Sequence, residues 1–525
     1  MLRFAVFDEH GPARDLRLVN AHLLGSDDAP MEGAVSFRDG HIECAPADTA
    51  SSHALCLEVD AGRAGALMLP TCLLQQREEP YRFYEELARH RIKLFLEKSE
   101  NWGLLDPAKA PEAFELFERS RDRFVAGMVE AQPYRAEMAH RDSLALAVYA
   151  SEKLAARRAE WMLHGRFGKA AATHALGVRA PVEKAPDLLK STLSREFDIV
   201  AVPTPWSLIE PSPGRYVWEA TDRWMAWSKQ SGRRAIAGPL LDMSPNGMPG
   251  WVRPILSDPA KLKDRLYGFI REVVTRYGPI NPIWNIASGV HLNEAATLTL
   301  EAMVQSTRLA GVAVRQVRRD AKLLVEVCDP FGDSVLSNRG AVSSMAYLRA
   351  LLAEGVPFDL LGLPMLCGES GRGRGTRDLL QLAAMLDRFT ARKEMPPVIV
   401  TALGAPSSAT NELGEGWWRE PWSARAQAAW ASMAFQVALS NPGVAAAIWD
   451  RLRDDAGGGM RSGGLYAADG SPKPSADRLL ATRRRLRVPL GAMPAAAPAS
   501  ASEPTAGVGA DDSTIQMSAS EMQEP

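Results

Sequence analysis

The chain has 525 residues, 46% apolar and 24% charged, with 61 Lys and Arg against 63 Asp and Glu. That length exceeds what one hydrophobic core serves and implies two or three domains. A net charge of −2 supplies no basic field, so no nucleic-acid partner is expected. The five cysteines (Cys44, Cys56, Cys72, Cys328 and Cys367) are odd in number and never closely paired, which fits reduced thiols rather than a disulfide framework or a zinc site. The nine histidines show no metal-ligand spacing, and no metal or other cofactor is implied. The opening MLRFAVFDEHGPARDL carries charges where a leader peptide needs an apolar core, and no apolar run is long enough to span a bilayer. A cytoplasmic protein without membrane partners is the expectation.

Residues 1–75 read as β structure. LRLVNAHLL and AVSFRDGHIEC alternate in polarity, and Asp39-Gly40 is a two-residue hairpin signal because both positions tolerate positive φ. A small sandwich is expected, read as a packing domain in preference to a ligand-binding module. Over 76–165 the period becomes helical. Tyr84, Leu87, Leu94 and Phe95 form one stripe, and Phe114, Phe117, Phe124 and Met128 a second. Ala147, Leu154 and Trp161 recur every seven residues in a third. All three are read as core.

Residues 166–487 alternate strand and helix, the pattern of a parallel sheet. The predicted strands are Leu176–Pro181, Asp198–Pro203, Arg234–Leu241, Ile283–Ser288, Lys322–Val327, Leu360–Leu366, Pro397–Leu403 and Val444–Trp449. Eight such units predict an α/β fold of the (β/α)8 TIM-barrel type; a doubly wound open sheet is the alternative, without a Gly-rich fingerprint to support it. From 488 to 525 the composition collapses to Ala, Pro, Ser and Gly, which predicts a disordered tail.

The barrel segment is organised around Phe197–Trp218, FDIVAVPTPWSLIEPSPGRYVW. An apolar strand runs into Pro203 and Pro205, which cannot donate ladder hydrogen bonds, and delivers Trp206 and Glu210 to a stiff loop. Trp206, Ile209-Glu210-Pro211, Pro213-Gly214, Tyr216, Trp218 and Asp222 together resemble the corresponding run of the family-10 glycoside hydrolases, the xylanase type. AIAGPLLDMSPNGMPGW is similar to that family's third strand and IWNIAS to its fourth. VIVTALG is similar to its seventh, and GLYAADGSPKPSADRL to its closing segment. The resemblance spans roughly Phe197 to Leu480 and implies a (β/α)8 barrel and β-linked sugars as the ligand class.

The same resemblance puts Gly289 where the family's acid/base Glu closes strand four, and Ala402 where its nucleophile closes strand seven. Neither side chain can donate a proton or attack an anomeric carbon. Family positions for His, Lys and Gln-x-His read Pro239, Pro205 and Pro364-x-Leu366, so the polar shell is gone as well. The acids left at predicted strand ends are Asp242, Glu326, Asp329 and Asp450, with Glu294 as a displaced acid beside Asn293. Asp242, Glu326 and Asp329 are the candidates for a rebuilt catalytic pair, read against the commoner role of capping helices and loop amides.

Trp206, Trp449 and Asp450 are the expected ligand contacts, because an indole offers a flat face to sugar C–H groups. Trp284, inside a strand, is expected to plug the barrel. The arginines of SGRGRGTRD at 370–378 could hold an anion, with Thr376 as a helix cap, although a solvated loop is the preferred reading. EGWWREPW at 415–422 reads as a loop covering the mouth or meeting a partner. The functional expectation is a catalytically degenerate, xylanase-like barrel that binds an oligosaccharide or polysaccharide. The alternatives are an active β-glycosidase with relocated carboxylates and a non-catalytic protein-interaction scaffold.

Overall fold

Eight parallel strands close on themselves in the computed structural model: β1 Leu176–Arg179, β2 Ile199–Val202, β3 Arg234–Ala237, β4 Ile283–Ser288, β5 Lys322–Glu326, β6 Leu360–Leu366, β7 Val398–Gly404 and β8 Val444–Trp449. Each pairs with its successor, and Leu176 opposite Ala447 joins β1 to β8. That last pairing rules out the open doubly wound sheet, which would leave both edges free. The structure describes residues 1–172, 175–182, 196–256, 258–338, 340–371, 373–410, 412–454 and 460–491. The predicted tail lies almost wholly outside them.

The strands are short, mostly β-branched or aliphatic, and largely buried on both faces, as parallel strands covered by helices must be. Predicted and observed spans agree within about two residues except at the third. There the chain leaves the ladder at Gly238-Pro239 and rejoins β4 only at Leu241–Asp242. Gly238 has φ +127°, and a Cβ on it would lie 2.3 Å from the Asn285 carbonyl oxygen, so only glycine fits where the chain departs from the ladder.

Residues 1–82 hold two small sheets. Tyr81–Arg82, Leu2–Ala5, His41–Pro46 and Gly33–Arg38 form one, with Asp39 and Gly40 both at positive φ in the hairpin. The other runs Trp417–Trp418, Gly65–Pro70, Ala54–Asp60, His22–Leu24 and Pro30–Met31. Leu2, Phe4, Ile42, Leu57 and Leu67 of the two sheets share a core with Phe83 and Leu87 of α1 (Phe83–Asn101) and Leu144 and Val148 of α3 (Pro133–Phe167). Between these helices α2 (Pro111–Val129) stacks Phe117 on Phe95 at 4.4 Å.

Two stripe residues turn outward. Met128 is 50% exposed because the end of α2 packs through Gly127, over which the His140 ring sits. Trp161 is 41% exposed. A seven-residue repeat drifts about 20° per heptad on a straight helix, so the last member of the series leaves the core face. The EGWWREPW segment is also not a cover for the mouth. Trp417 and Trp418 add an edge strand to the N-terminal sheet opposite Ala66 and Gly65, and the buried Trp418 indole donates to the Glu152 carboxylate of α3. No helix among the described residues is long and apolar enough to cross a membrane.

Candidate functional site at the barrel mouth

Side chains alternate across a strand, so every second residue faces the lumen. Ile199, Ile236, Leu324, Ile399 and Ile448 fill the lumen with apolar side chains, as a barrel of this size requires. Two residues further toward the strand ends, Leu324 leads to Glu326 and Ile448 to Asp450. Register places Arg179 beside the lumen-facing Ala201 of β2. It also sets Asp242 opposite Ser288, and Ser288 opposite Glu326. The top layer of the lumen is therefore polar, built from five strands.

Arg179 Nη1 lies 3.1 Å from Asp450 Oδ1. Burial alone would lower the Arg179 pKa, but Asp450, Glu326, Cys328 and Asp242 together raise it, so the guanidinium is the shared cation of the ring. Ser288 Oγ donates to Glu326 Oε1 at 2.6 Å and lies 3.4 Å from Cys328 Sγ. Burial, with Glu326 adding to it, holds the Cys328 thiol well above its ordinary range. Asp242 accepts from the Ser244 amide at 2.9 Å. At the rim, partial burial and then Asp242 raise Glu294, with Arg374 opposing. Glu326 and Thr401 approach each other over Gly362, where a Cβ would come within 3.1 Å of Leu324, Thr401 and Glu326 atoms. Asn285 Oδ1 and Thr401 Oγ1 are buried on the lumen side without a hydrogen-bond partner in the protein.

Asp242, Glu326 and Asp450 are thus brought together around Arg179. Asp329 is not part of that ring. Its carboxylate accepts from the Gly332 amide at 3.0 Å and from the Ser334 amide and hydroxyl, both at 2.6 Å, organising its own loop. Burial and then the neighbouring Asp333 push it up to about 6.

The expected indole contacts are corrected by strand parity. Trp449 follows the lumen residue Ile448 and so faces outward, stacked on Phe435 at 6.2 Å with Nε1 donating to the Gly463 carbonyl. Trp206 stacks on Phe269 at 5.0 Å and donates to Glu210 Oε2 at 2.8 Å. Both are at most 1% exposed, which leaves no face for a sugar. Trp284 pairs in register with Leu323, on the opposite side of the sheet from Leu324, so it packs against the helix layer rather than plugging the lumen.

Gly289 sits at the end of β4 with φ +62°, opening a turn over Val290–Leu292, and Ala402 is 1% exposed within β7. In the 370–378 loop Arg374 is paired with Glu369 and Arg377 with Asp333, while residue 372 lies outside the described residues. Thr376 donates to the Glu415 carbonyl, and it is Asp378 that caps α4 (Leu379–Thr390) through a capping box with Gln381. Among the described residues no group of three or more His, Cys, Asp or Glu side chains has metal-holding geometry.

Arg179, Ser288, Asn285 and Thr401 were not anticipated as site residues. The signal for Arg179 was a lone charge at an alternate position of an otherwise apolar strand. For the other three there was only polarity at lumen parity, which requires knowing the register.

No protein-family profile matches the chain. Among solved structures, xylanase 10B from Thermotoga petrophila RKU-1, in complex with xylobiose, is 17% identical, with 62% of this chain and 96% of that one covered at a TM-score of 0.46. Native xylanase 10B from Thermotoga maritima is 16% identical over 62% of this chain and 98% of its own, at 0.45. The family-10 xylanase of Thermobacillus composti is 16% identical over 61% and 99%, also at 0.45. The chain is similar in this degree to xylanases of that family, and its closed (β/α)8 barrel stands on its own strand pairings.

Proposed function

We propose that the barrel mouth binds a hydroxyl-rich ligand, a β-linked saccharide, without cleaving it by the two-carboxylate route. One observation carries this reading: the ends of β4 and β7 hold Gly289 and Ala402, while Asp242, Glu326 and Asp450 are engaged with a cation or a donor. Retaining hydrolysis needs two carboxyl groups about 5–5.5 Å apart, one of them protonated. Here the Asp450 carboxylate is occupied by the Arg179 guanidinium and that of Glu326 by the Ser288 hydroxyl. The same ring suits binding. Carboxylates accept from sugar hydroxyls, Arg179 donates, and Ser288, Asn285 and Thr401 do either. The motif resemblance around Trp206–Asp222 supplies the sugar class.

The test is calorimetry and thermal shift with xylo-oligosaccharides, alongside reducing-sugar release from xylan. A raised unfolding midpoint without new reducing ends supports the reading. Absence of any shift across oligosaccharides would remove the ligand and favour an interaction scaffold. A second reading, hydrolysis by relocated acids, draws on Glu294, raised beside Asp242 at the rim. Turnover that disappears in Asp242→Asn or Glu294→Gln would establish it in place of the first.

A further inference from the structure

The polar ring at the mouth is lopsided in charge. Its two guanidiniums both stand at Asp450, with Arg179 Nη1 3.1 Å from Oδ1 and Arg451 Nε 3.9 Å from Oδ2. Across the lumen, Asp242 and Glu326 meet only neutral donors. Asp242 Oδ1 accepts from the Ser244 amide at 2.9 Å, and Glu326 Oε1 accepts from the Ser288 hydroxyl at 2.6 Å. No hydrogen bond from a described residue reaches Asp242 Oδ2 or Glu326 Oε2. Register sets Asp242 opposite Ser288 and Ser288 opposite Glu326, so the two carboxylates flank one hydroxyl, with Cα atoms about 9–10 Å apart.

A buried acceptor lies below them. Asn285, in register with the lumen residue Leu324, is 6% exposed and keeps Oδ1 without a partner. Thr401, 5% exposed, does the same with Oγ1. The field on this side of the lumen is negative. Burial raises the Cys328 thiol first; Glu326, then Asp242 and Glu294, raise it further, and only the Ser288 hydrogen bond opposes them. Glu294 has Asp242 near it, and the cation acting against that pair, Arg374, is held by Glu369. Four carboxylates thus stand against two guanidiniums, and both guanidiniums are on the far side.

Ionised oxygens with a vacant lone pair, grouped over a buried amide oxygen, call for a positively charged donor. An ammonium has three donors and no acceptor, and its bonds to carboxylates are roughly twice as strong as neutral ones. A hydroxyl brings lone pairs that also need donors, and a sugar acid would meet like charge. We propose that the saccharide taken at the mouth carries a free amine: an amino sugar whose ammonium sits between Asp242 and Glu326, over the Asn285 amide oxygen. This rests on the reading of the mouth as a saccharide site and adds to it which sugar is selected.

Calorimetry on the full-length protein at about pH 6, where an amine is protonated, tests this with three β-1,4-linked tetrasaccharides that differ only at carbon 2. One carries hydroxyls there, one amines and one acetamides. The amine form should bind at least roughly tenfold tighter than the other two, and the excess should shrink as salt is raised. Asp242→Asn and Glu326→Gln should each weaken the amine form by about tenfold and narrow its lead over the hydroxyl form. Putrescine, an amine without a sugar, should bind at least roughly tenfold more weakly than the amine tetrasaccharide. Equal affinity of the hydroxyl and amine forms would overturn the proposal and leave the mouth a neutral-saccharide site. Binding of none of the three would overturn that reading as well. Putrescine binding as tightly as the tetrasaccharide, or an undiminished lead in both folded variants, would also overturn the proposal.

Discussion

Arg179 Nη1 and Asp450 Oδ1, 3.1 Å apart, tie the last residue of β1 to the residue after β8, at the junction where the sheet closes. Asp450 is 8% exposed and Arg179 is 37% exposed, so the cation can recover water if its partner is lost. Asp450→Ala should therefore cost only about 1–2 kcal/mol, less than a fully buried pair would. It should weaken saccharide binding at least tenfold. Denaturant midpoints and calorimetry check the two parts, and unchanged affinity would remove Asp450 from the site.

Trp206 belongs to the wall, packed between Phe269 and Trp251. Trp206→Ala should lose about 3–5 kcal/mol of stability, the range for a large aromatic removed from a core. Urea unfolding measures it. A loss below about 1 kcal/mol, with saccharide affinity reduced, would mean that the indole serves the ligand instead.

Gly65 joins the N-terminal sheet to the barrel loop. Its φ is +116°, and a Cβ there would lie 2.1 Å from the Trp417 carbonyl oxygen. Gly65→Ala should destabilise by about 2–4 kcal/mol through strain and overpacking. Proteolysis near 412–422 should accelerate as the Trp417–Trp418 strand is displaced. Unchanged cleavage would show that the edge pairing contributes little to the seam.

Glu58 is raised from 4.5 to about 7 by burial and then by Glu415, and its Oε2 has no hydrogen-bond partner. The folded state thus holds a proton that the unfolded state has released between those values. Its contribution is fully present below about pH 4.5 and is lost as pH rises through 7. Glu58→Gln should accordingly raise the melting midpoint at pH 8 by about 1–3 °C, with the gap closing by pH 4.5. A gap independent of pH would show that Glu58 titrates normally.

The backbone plan was legible because it is local. Apolar runs such as IVAV and VIVTALG, punctuated by Pro and Gly, mark strands wherever helices cover both faces, and Asp39-Gly40 dictated its hairpin through positive φ alone. That Gly289 and Ala402 carry no carboxylate is likewise a fact of the sequence alone.

Only the tertiary structure decided which way side chains point and what they meet. A one-residue change of parity separates the lumen from the helix layer, so Trp449 and Asp450, adjacent in sequence, end in different environments. Arg179 meets Asp450 because strands far apart in the chain close a barrel, and Trp417 meets Ala66 because a loop adds to a distant sheet. Those pairings depend on register and closure, which arise from the packing of the whole and leave no mark in any short stretch of residues.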